Sequence, residues 1–388
     1  MTTIIIGTGL AGYNLAKELR KGDTTRKLLL ITEDDGHFYS KPQLSAALHN
    51  EKTPDSLVIT PVETMREQLQ AQIRTFTQVM SLDPAAKSIQ VQVVGAQDEP
   101  ETLFYTDLIF AVGAMPKPLL PLNEVSAHYR INNLMDYRHF LSATTEAKHI
   151  TIIGSGLVGC EFAHDLCKKQ VAVTVVTPDP YPLYNLVPAP VGEALQKALE
   201  EKGVAFETNI GIAGAEQHEE HVCLLFADGS TLNTHCVLSA IGLSPNVTLA
   251  KAANIEVKQG IVVNDFLETS HPHIYALGDC AEIDGVCRQY VAPLLQSARA
   301  LAQTLMGQPT AVTMPTTAIS LKTSHYPVVI FPATGEGAWE FEHYVDGVKA
   351  LYHDHSGMLT GYVLCGSQAV HRQQYLQKIT EKLSLSCA

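Results

Sequence analysis

The chain spells one unusual pattern twice. Thr3-Ile4-Ile5-Ile6 is a β-branched, wholly apolar run, as a strand buried on both faces requires, and it leads directly into Gly7-Thr8-Gly9-Leu10-Ala11-Gly12. The first glycine permits the tight turn, the second lets backbone approach a pyrophosphate, and the third lets a helix pack against the strand. That helix, expected from Leu10 to Arg20, aims its unpaired N–H groups and about half a positive charge at the phosphate. Lys27-Leu28-Leu29-Leu30-Ile31-Thr32 then reads as a second strand ending on Glu33, 21 residues beyond Gly12, where a carboxylate can take both hydroxyls of an adenosine ribose. At His149 the pattern returns. Ile150-Thr151-Ile152-Ile153 is a strand, Gly154-Ser155-Gly156-Leu157-Val158-Gly159 a second glycine turn, Leu157 to Lys169 a helix and Val171 to Val176 a strand. One GxGxxG is a weak signal, whereas two complete strand–turn–helix–strand units are a strong one. The economical reading is two dinucleotides whose reactive rings exchange a hydride with no further group from the protein.

The second copy departs at its acidic position. Where an acid would end the strand stands Thr177, followed by Pro178 and Asp179. No arginine or lysine pair sits there to take a 2′-phosphate, which favours NADH over NADPH. Glu161 reads as an acid in the first turn of its helix, explicable by the helix dipole or by a role facing the nucleotides. Cys160 and Cys167 share one helix face and are expected to pack in the core.

Length and composition set the frame. A chain of 388 residues is too long for one ordinary core, so two or three domains are expected. No run approaches the roughly 20 apolar residues a membrane helix needs, and with no basic-then-apolar leader before the first strand a signal peptide is not expected. The formal net charge of −13 argues against nucleic acid and anionic membranes as partners. The eight cysteines form no CxxC pair and no zinc-like spacing, which suits reduced thiols in a cytoplasm and no metal site.

Between the two copies, Asp34 to Ser45 is a polar stretch in which Pro42 opens a short helix and Lys41 faces either solvent or a bound dinucleotide. Residues 72–95 read as strands with a turn at Asp83-Pro84, and Tyr105 to Ala114 as a buried strand leaving through a glycine turn. After the second copy, Val237 to Asn246 is a buried strand with a Gly/Pro exit that suits a domain crossing. Ile274 to Cys280 is a strand whose glycine turn presents Asp279 at a sheet's carboxyl end, where ligands sit. Tyr290 to Leu305 reads as a helix, and the tail beyond about Met314 as a small α+β domain. The expected architecture is therefore α/β: two Rossmann-like dinucleotide-binding domains, at 1–113 with 245–315 and at 114–244, plus a C-terminal α+β domain at 316–388.

With these residues in hand, the chain resembles the FAD-dependent pyridine-nucleotide oxidoreductases of the glutathione-reductase fold. Within them it is most similar to the subgroup that reduces rubredoxin. Gly7 to Ala16, Tyr39-Ser40-Lys41-Pro42, Gly159-Cys160-Glu161-Phe162-Ala163 and Lys322-Thr323 carry the subgroup resemblance, and Ala276 to Cys280 resembles the family segment whose aspartate holds the ribityl chain. The resemblance implies FAD on Gly7, Gly9, Leu10, Ala11, Gly12, Glu33, Asp34, Lys41, Pro42, Val79, Glu161, Asp279, Val291 and Lys322. It implies NADH on Gly154, Gly156, Leu157, Val158 and Gly159. Lys41 or Lys322 would stand near the flavin edge that gains negative charge on reduction, with Glu161 nearby.

Disulfide reductases of this fold carry a CxxxxC pair after the first unit, and the related oxidases a single cysteine. Here the chain has no cysteine before Cys160. Electrons are therefore expected to leave from the flavin to an external one-electron acceptor, rubredoxin, in a transient complex rather than a stable oligomer. A ferredoxin or flavo-diiron protein is the alternative acceptor, and partner binding without turnover a more distant one. Because rubredoxins are usually acidic, the docking face should carry basic residues, with Lys41, Lys117, Arg299 and Lys322 as candidates.

Overall fold

The computed structural model describes residues 2–169 and 171–386, the last six by their backbone alone; Cys387 lies outside the described residues. The chain forms two compact units. One comprises residues 1–41, 55–115 and 243–315, the other residues 42–54, 116–242 and 316–388.

The first unit is built on a five-stranded, all-parallel sheet in the order Ile274–Ala276, Asp107–Phe110, Thr2–Ile6, Lys27–Ile31, Gln72–Arg74. This is the doubly wound order, with its reversal between Thr2–Ile6 and Asp107–Phe110. Ile4, Ile5, Leu30, Leu108, Ile109 and Phe110 are completely buried, which explains why these strands read as unbroken apolar runs instead of alternating ones. Helix Leu10–Gly22 buries Tyr13, Leu15, Ala16 and Leu19 and carries Arg20 and Lys21 in its last turn, where cations oppose the helix dipole. It packs beside helix Val291–Leu305, whose Ala298, Leu301 and Ala302 are buried.

The second unit repeats the plan. Its parallel sheet runs His128–Tyr129, Cys236–Ser239, His149–Ile153, Ala172–Val176, Val204–Glu207, again reversing beside the strand that precedes the glycine turn. The repetition reaches further than the glycine motifs. In each unit, counting from the strand before the glycine turn, the crossover from the third parallel strand to the fourth is a three-stranded antiparallel sheet: Thr77–Asp83, Ser88–Val93 and Glu101–Phe104 in the first, Ile212–Gln217, Val222–Phe226 and Thr231–Thr234 in the second.

The C-terminal segment folds as a five-stranded antiparallel sheet, ordered Ile319–Leu321, Val328–Phe331, Leu359–Gly366, Gly347–Asp354, Gly337–Tyr344. Helix Arg372–Ser386 covers it, seating Tyr375 and Ile379 on Val329, Tyr362 and Leu364. The edge strand Gly337–Tyr344 is exposed for most of its length and studded with Glu340 and Glu342, which blunts it against pairing with other chains. No helix among the described residues is long and apolar enough to cross a membrane. Truncating Leu30 to Ala in the first parallel sheet should cost about 2–5 kcal/mol, read as a lowered melting temperature of the first unit.

Candidate functional site

In the first glycine turn the three glycines serve three separate geometric needs. Gly7 adopts φ +112°, and a side chain there would meet the Ala111 carbonyl oxygen at 2.3 Å. Gly12 has a different constraint: a Cβ would lie 2.0 Å from the Gly7 carbonyl oxygen, so only a bare Cα lets the helix begin so close to the strand. At Gly9 an added Cβ meets nothing within 4 Å. That position faces open space at the helix N-terminus, as a phosphate cradle demands. Gly9 caps the helix with no side-chain hydrogen bond, and no acid stands in the first turn. The amides of Leu10, Ala11 and Gly12 thus have no intrahelical acceptor and are open to an anion.

The second turn matches it closely. Gly154 has φ +103° with the Ala240 carbonyl at 2.6 Å, a Cβ on Gly159 would fall 1.9 Å from the Gly154 oxygen, and Gly156 faces open space. Gly156 caps helix Leu157–Leu166 with no side-chain hydrogen bond, and Val158 is 46% exposed at its start. Helix Leu134–Ala143, by contrast, closes its N-terminus with a capping box between Asn133 and Asp136. The two glycine-turn helices leave theirs open.

A polar brace fixes each turn to the strand beside it. Gly7 N–H donates to Ile31 O at 2.8 Å, and Gly154 N–H to Val176 O at 2.8 Å. Asp34 Oδ1 accepts from Thr32 Oγ1 at 2.7 Å, from Gly36 N–H at 3.0 Å and from Thr8 Oγ1 at 3.5 Å. In the second unit Ser155 Oγ donates to Thr177 Oγ1 at 3.0 Å, and Thr177 Oγ1 to Asp179 Oδ2 at 3.4 Å. The matching backbone bonds, Thr32 N–H to Arg74 O and Thr177 N–H to Glu207 O, make Thr177 the counterpart of Thr32 and Asp179 that of Asp34. The residue equivalent to Glu33 is therefore Pro178, not Thr177 as the sequence pattern suggested. Read from sequence, the first strand runs through Thr32 but the second only to Val176; the strands end at Ile31 and Val176, so Thr32 and Thr177 are the matching residues just beyond them. Glu33 is exposed, and no described residue binds its carboxylate.

Asp279 follows Gly278, which takes φ +77° and packs against Ala11 in the first turn of the glycine-turn helix. Burial pushes the Asp279 carboxyl up, and the Lys41 charge pulls it back. Val291 opens helix Val291–Leu305, whose N-terminus has no side-chain cap and no acid in its first turn. Val79 lies half-buried against the first unit's core on strand Thr77–Asp83. The neighbouring Cys280 is wholly buried, bonded to Phe110 O and Leu277 O, and its thiol is pushed up to about 12 by burial. Lys41 opens the 3₁₀ turn Lys41–Ala46; it belongs to the first unit, and Pro42 to the second.

Glu161 is not a first-turn acid. It lies in the second turn of helix Leu157–Leu166, only 3% exposed, and accepts from Ser45 Oγ at 2.6 Å, from Lys322 N–H at 3.0 Å and from Lys322 Nζ. Its carboxylate thus ties three remote pieces of the second unit together. Lys322 is an ion-pair partner, not a lone cation. One turn on, Asp165 is fully buried and accepts the Leu48 and His49 amides at 3.2 and 2.7 Å. The sequence pattern gave no hint of Asp165 or of Ser45, because both partners come from outside the glycine-turn repeat. Cys160 Sγ donates to Ser155 O and Cys167 Sγ to Ala163 O, and burial raises both thiols. Both are packing residues.

The glycine geometry separates folding from binding. Gly9→Ala should leave the melting temperature of the cofactor-free protein nearly unchanged, within about 1 kcal/mol for an altered cap, while sharply lowering the cofactor-to-protein ratio after purification. Gly12→Ala should lower both. Equal losses of melting temperature in the two variants would contradict the open space at Gly9.

The signature of the pyridine nucleotide-disulphide oxidoreductases matches residues 1–308, and that of a rubredoxin binding C-terminal domain matches residues 311–379. The rubredoxin–NAD(+) reductase of Alcanivorax borkumensis is 41% identical over 380 residues, covering 97% of each chain. That of Acinetobacter baylyi is 38% identical over 388 residues, covering 98% of each. A ferredoxin reductase from Rhodopseudomonas palustris superposes with a TM-score of 0.85 over 95% of this chain and 92% of its own, at 24% identity, which speaks to the fold alone. Two glycine cradles, their matching braces and these likenesses converge: the chain belongs to the pyridine nucleotide-disulphide oxidoreductase family of FAD-dependent reductases and carries a C-terminal domain of the rubredoxin-binding type.

Proposed function

We propose that this chain oxidises NADH through bound FAD and delivers the electrons to rubredoxin, working in the cytoplasm. The observation that carries the reading is the pairing of two open nucleotide cradles with a chain that has no cysteine before Cys160. Seven free cysteines are described, every one buried or half-buried. FAD, when bound, supplies the conversion of one hydride's electron pair into electrons released one at a time, the form a one-electron iron acceptor takes.

The residues of the first unit fit FAD. The amides of Leu10, Ala11 and Gly12, beside Gly7 and Gly9, take its pyrophosphate, and Glu33 takes the adenosine ribose. Asp34 serves by bracing the turn, its Oδ1 already shared among Thr8, Thr32 and Gly36. Asp279, Lys41, Val79 and the open helix end at Val291 serve the rest of the molecule. Pro42, Glu161 and Lys322 stand in the second unit; their part in FAD binding rests on the family resemblance. In the second unit the amides of Leu157, Val158 and Gly159, beside Gly154 and Gly156, take the NADH pyrophosphate. With Pro178 where Glu33 has its counterpart, no carboxylate from that position grips the ribose. Nicotinamide nucleotide is accordingly held more loosely than FAD, as a substrate that must leave each turnover should be.

Anaerobic NADH should bleach the protein's flavin absorption, and oxidised rubredoxin added afterwards should restore it while losing its own iron–thiolate colour. Ferredoxin or a flavo-diiron protein in its place should restore it far more slowly. The same exchange should survive alkylation of every accessible thiol. Loss of acceptor reduction with flavin still bound after alkylation would return the reaction to a cysteine.

A further inference from the structure

Asp165 and His164 are consecutive residues of helix Leu157–Leu166, buried, and used by none of the roles above. Both face the segment Pro42–Pro54. Asp165 Oδ1 and Oδ2 accept the His49 and Leu48 amides, and the His164 ring lies 4.7 Å from the His49 ring. His49 Nε2 is in turn bonded to Ser324 Oγ at 2.6 Å. The same segment carries Ser45, which donates to Glu161 alongside Lys322. Two carboxylates one helix turn apart therefore hold one segment, and that segment bears on the Glu161–Lys322 pair.

We propose that Asp165 and His164 are positioning residues that jointly hold the Pro42–Pro54 segment and through Ser45 set the Glu161–Lys322 pair. The role in electron transfer rests on the function proposed above; the hold itself does not.

The pH dependence of the hold follows from what surrounds each group. Burial pushes the Asp165 carboxyl up to about 6, against the pull of the His49 and Leu48 amides and with a further push from Glu161. Tyr137, fully buried with an unpartnered hydroxyl, faces it from helix Leu134–Ala143. Burial drives the His164 imidazole down to about 4, helped by His49, His325, Lys202 and Lys168. With the hold closed, between pH 4 and 6, Asp165 carries the proton and His164 is neutral. With the hold open and both groups in water, the ordinary values reverse the assignment. The closed and open forms then bind the same number of protons, so linkage makes the closing equilibrium flat across this window. Remove one partner and a slope appears. His164 alone, its value depressed, costs stability as pH falls from about 6.5 to 4; Asp165 alone, its value raised, gains stability as pH falls from about 6 to 4.

Amide hydrogen exchange of the Leu44–Asn50 stretch, corrected for intrinsic rates and followed from pH 4 to 7.5 on the flavin-loaded protein, reads the hold directly. Wild-type protection should be nearly flat. In Asp165→Asn it should fall about tenfold per pH unit on acidification below 6.5, and in His164→Asn rise by about the same factor below 6. The kcat for NADH-driven acceptor reduction should follow the protection in each variant, with the KM for NADH unchanged. Parallel profiles in the two variants would overturn the joint hold. Profiles of opposite slope with an invariant kcat would overturn the positioning role. A wild-type protein that binds no flavin would remove the function proposed above; the same exchange profiles, taken on that flavin-free protein, would still test the hold.

Discussion

Each glycine turn depends on a single close approach, that of the helix backbone to the carbonyl of the turn's first glycine. A Cβ at Gly12 or Gly159 would stand within about the length of a covalent bond and a half of that oxygen, at 2.0 and 1.9 Å. Only with hydrogen at that position does the helix start directly over the end of the strand, with its first amides unbound and open to an anion. The rest of the molecule follows from it. The parallel sheets supply a carbonyl edge for the turn, and the buried β-branched strands hold that edge still.

A second requirement is that the turn not swing. Each unit meets it with the same small polar device, a hydroxyl in the turn, a threonine after the second strand and an aspartate two residues on. Asp34 and Asp179 look like ligand residues from their position in the sequence, yet they spend their hydrogen bonds on the scaffold. What differs between the units is the residue between the threonine and the aspartate, Glu33 in one and Pro178 in the other. At that position one unit offers a carboxylate and the other a ring with neither charge nor hydrogen-bond donor.

The helix after the second turn does more than end a cradle. Along one face it presents Glu161 and then Asp165, four residues apart and so on the same side. Between them they gather Ser45, Leu48, His49 and Lys322 from segments far away in the chain. Burying two carboxylates is costly, and each is stabilised by hydrogen bonds to its oxygens. Removing a partner would leave a charge in the interior, which is why such groups join distant segments firmly.

What the sequence alone determined was everything set by local physics. Apolar runs specify buried parallel strands, and the spacing of Gly7, Gly9 and Gly12 and of Gly154, Gly156 and Gly159 specifies a turn that few other backbones can make. Both the doubled α/β plan and the cradle residues follow from those. The tertiary structure decided what depends on register and on distant partners. It moved the position equivalent to Glu33 from Thr177 to Pro178, turned Glu161 from a dipole acid into a buried three-way acceptor, and revealed Asp165 and Ser45. The reason is physical: an unbroken apolar run does not mark where strand pairing ends, and a buried carboxylate is defined by donors that no local pattern contains.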